Sequence, residues 1–111
     1  MATFEEVKNI RDEPEKLLID VRNQSEIQET GSIPGSINIP LPELESALKL
    51  SANEFKDKYD LEKPEGSKTL IFSCRSGARA QKAADLAKSL GFENSKSYKG
   101  SWTEWAEKHG L

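Results

Sequence analysis

The chain has 111 residues, of which 35% are hydrophobic and 32% charged, and its formal net charge is −3 at pH 7. That is enough for one domain over residues 1–111 with a single core, in the composition range of water-soluble globular proteins. No stretch approaches the roughly 20 apolar residues of a membrane helix, and an acidic balance without long charge blocks argues against a nucleic-acid surface.

The first segment, Thr3-Phe4-Glu5-Glu6, is a candidate capping box, with Thr3 as N-cap and Glu6 three residues on. Phe4, Val7 and Ile10 make a short apolar stripe that ends at Asp12-Glu13-Pro14. Leu17-Leu18-Ile19-Asp20-Val21 is a near-continuous apolar run, as expected of a parallel strand covered on both faces. Residues 23–36 are polar, with Gly31, Pro34 and Gly35, and read as a loop with a helical turn at Ser25–Glu29. Ile37–Ile39 reads as a short strand, stopped by Pro40 and Pro42.

Helices are expected over Pro42–Leu50 and Ser51–Tyr59, the second with Phe55 and Tyr59 on one face. A turn at Lys63–Ser67 leads into Thr69–Ser73, the second buried strand. Cys74 follows directly, then a Gly-containing turn and the Ala-rich helical segment Ala78–Leu90, with Gly91 as its natural stop. Ser95–Tyr98 is a weak last strand, and Ser101–Lys108 is a final helix carrying Trp102 and Trp105. Strands alternating with helices imply an α/β fold: a mainly parallel sheet of about five strands with helices on both faces.

A lone cysteine excludes an internal disulfide and a multi-thiolate metal site. The lone His109 reads as solvated tail, so neither a Cys–His dyad nor a metal or cofactor site is expected. Met1–Glu6 carries neither a secretory pattern nor an Arg-rich transit pattern, which makes a cytoplasmic location the expectation and a mitochondrial one the alternative.

Chemistry points to the loop Cys74-Arg75-Ser76-Gly77-Ala78-Arg79. In open α/β sheets ligands bind beyond the carboxyl ends of the strands. A cysteine there, just before a helix, meets unpaired backbone N–H groups and the positive end of the helix dipole, and both favour thiolate. Arg75 and Arg79 are expected to add positive charge, Ser76 a hydrogen bond, and Gly77 the conformational freedom of a tight loop. The competing reading is a buried structural cysteine. The strand before it and the Arg-Ser-Gly after it favour an activated nucleophile in an anion cradle.

With those residues in place, the sequence resembles the rhodanese (thiosulfate sulfurtransferase) family through three motifs. Leu18-Ile19-Asp20-Val21-Arg22 with Glu26 is similar to the first. Gly31-Ser32-Ile33-Pro34-Gly35-Ser36-Ile37-Asn38-Ile39-Pro40 is similar to the second, with Ser32 in place of the usual His and Ser36 in place of Ala. Tyr98 to Trp105 resembles the closing Gly-Gly-x-x-x-Trp element, with Lys99 read as the position of the first Gly. Asp20 and Arg22 read as a loop-fixing salt bridge, Lys99 as a residue at the pocket mouth or in solvent, and Trp102 as a core anchor able to pack beside the loop.

The resemblance implies a cysteine that takes a sulfane sulfur from thiosulfate and passes it to an acceptor: glutathione, cyanide or a thioredoxin-like protein. No nucleic acid or membrane partner is expected from the charge and the lack of an apolar span, and the chain is expected to be a monomer or weak dimer. Two alternatives stand beside it. One is a persulfide carrier or redox-sensing interaction module. The other is a cysteine phosphatase or arsenate reductase, against which the short Cys-x4-Arg spacing from Cys74 to Arg79 argues, because those enzymes resemble Cys-x5-Arg.

Overall fold

A computed structural model describes all 111 residues. Its sheet has four parallel strands in the order β2–β1–β3–β4: β1 (Lys16–Asp20), β2 (Ser36–Asn38), β3 (Thr69–Ser73) and β4 (Ser95–Ser97). The expected count of about five is therefore too high. At the β4 edge the chain start makes only one bridge, Ala2 to Tyr98. Thr3 already caps helix α1 (Phe4–Lys8), accepting the Glu6 N–H at 3.1 Å, so no extended chain is left to pair further.

After a 3-10 turn at Ile10–Asp12 come α2 (Gln24–Thr30), α3 (Leu41–Leu48), α4 (Ala52–Tyr59), α5 (Ala78–Ser89) and α6 (Ser101–His109). The central strands β1 and β3 show why their sequences are apolar throughout. Leu17, Ile19, Leu70 and Phe72 face one core with Leu44, Phe55 and the Ala80–Ala83–Ala84–Ala87 stripe of α5. Leu18 and Ile71 face the other, with Val7, Ile10, Ile33, Tyr98 and Trp105. Each fully buried Leu, Ile or Phe contributes about 1.5–3 kcal/mol. Both faces of the sheet are therefore held by packing.

The polar stretch expected to be mainly loop contains a full helix, α2. Asn23 and Glu26 form its capping box, with the Glu26 carboxylate accepting the Asn23 N–H at 3.1 Å. α3 starts at Leu41, one residue before the expected Pro42, because proline is well tolerated in a first helical turn.

The order of strands places a topological switch between β1 and β3, since the chain leaves β1 to one side and returns on the other. Beyond the carboxyl end of β1 lies the buried ion pair read from the sequence as a loop fastener. Arg22 Nε reaches both Asp20 oxygens at 3.1 and 3.0 Å, and Nη2 reaches Oδ2 at 2.8 Å. The remaining guanidinium donors go to Thr30 Oγ1 at 2.8 Å and Gly31 O at 3.0 Å. The Asn38 amide braces the same turn by donating to Asp20 O and Arg22 O, each at 2.9 Å. Every charge is met. Removing one partner leaves the other buried and unpaired, so Arg22→Ala is expected to lower the urea unfolding free energy by about 3–5 kcal/mol.

Candidate active-site loop at Cys74

β3 ends at Ser73, and the next residue, Cys74, is 1% exposed. Its Sγ accepts the Gly77 N–H at 3.0 Å and the Ala80 N–H at 3.4 Å. These donors are available because α5 begins at Ala78, and the first N–H groups of a helix have no partner within it. Burial pushes the Cys74 thiol pKa up. The N–H groups of Ala80 and Gly77, the Ser101 hydroxyl and the Ser76 N–H together outweigh burial and hold it below its ordinary value.

Gly77 is at φ +107, and a Cβ there would lie 2.6 Å from Lys99 O. Only glycine allows the loop to close on the segment before α6 while aiming its N–H at sulfur. The first turn of α6 grips the loop from the other side. Trp102 N–H donates to Cys74 O at 3.0 Å, and Arg75 O accepts both Thr103 N–H at 3.0 Å and Thr103 Oγ1–H at 2.8 Å.

The two arginines differ from the expected pair of free charges. Arg79 makes a bidentate bond to Glu26 of α2, at 2.7 and 3.0 Å. The Arg79 hydrogen bonds hold the Glu26 carboxyl at a pKa of about 2, against the cost of its burial. Cys74 contributes to raising the Arg79 pKa, a weaker influence than Glu26, so the guanidinium does sense the sulfur. Arg75 is exposed, and only its backbone enters the network. Backbone N–H groups, more than side-chain cations, surround the sulfur. Ser76 and Ala78 are exposed on the outer side of the loop.

Of the supporting residues, Trp102 has the Arg22 guanidinium carbon 5.0 Å from its ring centre, which joins the loop after β1 to the start of α6. Lys99 is exposed and lines two cavities that flank Ser76. The larger, of about 740 Å³, also includes Thr103, Glu104 and Glu107. Neither is lined by Cys74 itself. Ser32 lines a different groove, with Pro34, Trp102 and His109. His109 is not loose tail: it closes α6, stacks on Trp105 at 4.1 Å, and its Nδ1 lies 2.9 Å from Trp105 O.

Sequence reasoning missed Ser101. Fully buried, it accepts the Cys74 N–H at 3.1 Å, donates to Tyr98 O at 2.7 Å, and has its Oγ 3.8 Å from Cys74 Sγ. Its φ is +51, which costs a non-glycine residue about 1–3 kcal/mol. Counted back from Trp105, the Gly-Gly pair of the closing motif falls on Gly100 and Ser101 rather than on Lys99 and Gly100. That register was the signal available in the sequence, and the left-handed backbone of Ser101 agrees with it.

A parallel α/β sheet with one cysteine cradled by N–H groups at the carboxyl edge of a central strand places the chain among open-sheet α/β proteins with a cysteine at the strand end. Among these, the chain belongs to the rhodanese family: residues 3–108 match the rhodanese-like domain. It is 54% identical over the full length of both chains to the Drosophila melanogaster rhodanese domain-containing protein CG4456. It is 44% identical over 92 residues to the Homo sapiens thiosulfate:glutathione sulfurtransferase, covering 82% of this chain and 79% of that one. The structure of the human single-domain sulfurtransferase TSTD1 superposes with a TM-score of 0.88 at 38% identity, covering 97% and 96% of the two chains.

The Glu26–Arg79 pair should show itself in acid. Because the folded pKa of Glu26 lies below its ordinary 4.5, the stability from the pair is full above about 4.5 and is lost as pH falls through about 2. Glu26→Gln is therefore expected to cost roughly 1 kcal/mol at neutral pH. Denaturant melts at stepped pH should show that deficit shrinking to nothing at the acid end.

Proposed function

We propose that this chain is a sulfurtransferase that moves the outer sulfur of thiosulfate through a Cys74 persulfide to an external acceptor. The observation that carries this reading is the Cys74 sulfur, buried yet held below its ordinary pKa by N–H donors 3.0 and 3.4 Å away. In the first step the thiolate attacks the outer sulfur of thiosulfate. A Cys–S–S bond forms, the donor S–S bond breaks, and sulfite leaves with the bonding pair and needs no proton. In the second step an acceptor anion attacks the outer persulfide sulfur, and Cys74 thiolate is the leaving group.

The loop N–H groups are placed to stabilise negative charge at the sulfur in both steps. With one cysteine in the chain, no internal disulfide discharges the persulfide, so the acceptor comes from outside. The name of the human relative, thiosulfate:glutathione sulfurtransferase, supports glutathione as that acceptor. Cyanide, a small anion, suits the same chemistry.

Phosphoryl transfer fits less well. Phosphate monoester cleavage usually calls on a protonated acid at the leaving group. Two of the carboxyls near the loop are Asp20 and Glu26. Both are locked to arginines, and Glu26 is held ionised down to about pH 2. The six-residue loop supports the same choice.

The test is sulfite release from thiosulfate with glutathione and, separately, with cyanide, run beside Cys74→Ser. Turnover is expected with the wild type and none above background with the variant. Mass spectrometry of the wild type after thiosulfate alone should find one added sulfur on the peptide holding Cys74. A folded wild-type protein that releases no sulfite with either acceptor contradicts the reading.

A further inference from the structure

Two non-glycine residues have positive φ, Asp60 and Ser101. Asp60 is an exposed helix cap, whereas Ser101 is fully buried beside Cys74. Glycine would hold the Ser101 backbone without strain, so a serine there needs a reason in its hydroxyl.

That hydroxyl has one proton and two acceptors within reach. Its oxygen already accepts the Cys74 N–H at 3.1 Å. Its proton goes to Tyr98 O at 2.7 Å, with Cys74 Sγ at 3.8 Å as the other acceptor. A carbonyl is the better partner while the sulfur is a neutral thiol. A thiolate, carrying full charge in a nearly dry site, is the stronger acceptor.

We propose that Ser101 is a positioning residue for Cys74, whose hydroxyl turns its proton from Tyr98 O to Sγ as the sulfur ionises and so extends Cys74 reactivity to lower pH. The proposal rests on reading Cys74 as the nucleophile. The fixed Cys74 N–H bond keeps the hydroxyl oxygen in place during the turn, so only the proton relocates.

Other charges around the loop do not compete for this role. Asp20 at the end of β1 and Arg22 just after it are paired with each other, as are Glu26 of α2 and Arg79 of α5. Glu104 of α6 accepts the Tyr98 hydroxyl at 2.6 Å. Arg75 and Lys99 are exposed. None of these side chains hydrogen-bonds the Ser101 hydroxyl, whose partners are Cys74 and Tyr98.

The experiment is the rate of Cys74 alkylation by iodoacetamide against pH in the wild type, Ser101→Gly and Ser101→Ala. Cys74 is the lone cysteine, so the reagent reports it alone. Near-UV circular dichroism of Trp102 and Trp105 checks the fold. Both variants are expected to keep the native signal and to shift the midpoint upward by about one pH unit, a roughly tenfold slower reaction below the midpoint. An unchanged midpoint in a folded variant overturns the proposal. Loss of the native signal in both variants also overturns it, by making Ser101 a residue of the fold. The readout needs no thiosulfate, so a wild type that alkylates readily but releases no sulfite refutes the proposed function and leaves this result standing.

Discussion

In the proposed reaction a sulfur atom in a residue 1% exposed has to carry negative charge where little water can reach it, and the surroundings of Cys74 answer to that constraint. Burial alone would favour the neutral thiol. The structure counters it with N–H groups at the start of α5, fixed before any charge appears, and with the Ser101 hydroxyl at the start of α6. Because the N–H groups are already oriented, ionisation of the sulfur calls for little rearrangement beyond the turn of one hydroxyl proton. Side-chain cations play the lesser part, since Arg79 is bonded to Glu26 and Arg75 lies in solvent.

Such a cradle works only if its walls stay in register, and the braces around it come from distant parts of the chain. Gly77 lets the loop approach Lys99 O, while Trp102 and Thr103 bond the first carbonyls of the loop. Arg79 ties α5 to α2, and Arg22 ties the end of β1 to the end of α2 while lying over Trp102. The charged pairs of the family motifs thus serve mainly as fasteners at the switch point between β1 and β3. They hold the loop and its N–H donors in place.

Much of this was legible in the sequence where local rules govern. The run Thr69–Ser73 reads as a buried strand and is β3 without adjustment, because continuous apolar character has few other uses at that length. The alanine stripe of α5 and the position of Cys74 before it follow from the same reasoning. Helix α2 was underestimated: its apolar content is low and its side chains are not buried, so the Asn23–Glu26 capping box carried more weight than hydrophobic period. The partners of Arg79 and Cys74 were out of reach, since Glu26 lies 53 positions from Arg79 and Ser101 lies 27 from Cys74. Spacing rules do not see such pairs. Ser101 was hidden for a second reason, because a serine in a glycine-type conformation looks ordinary until its φ is known.

The proposed function requires that Cys74 act on thiosulfate by itself, before any acceptor arrives. The most direct test is to mix the protein with excess thiosulfate and no acceptor and follow sulfite in the first turnover. The account requires a burst of sulfite stoichiometric with protein, followed by a halt until glutathione is added. No release until the acceptor is present would contradict it, since sulfur would then pass between donor and acceptor without resting on Cys74.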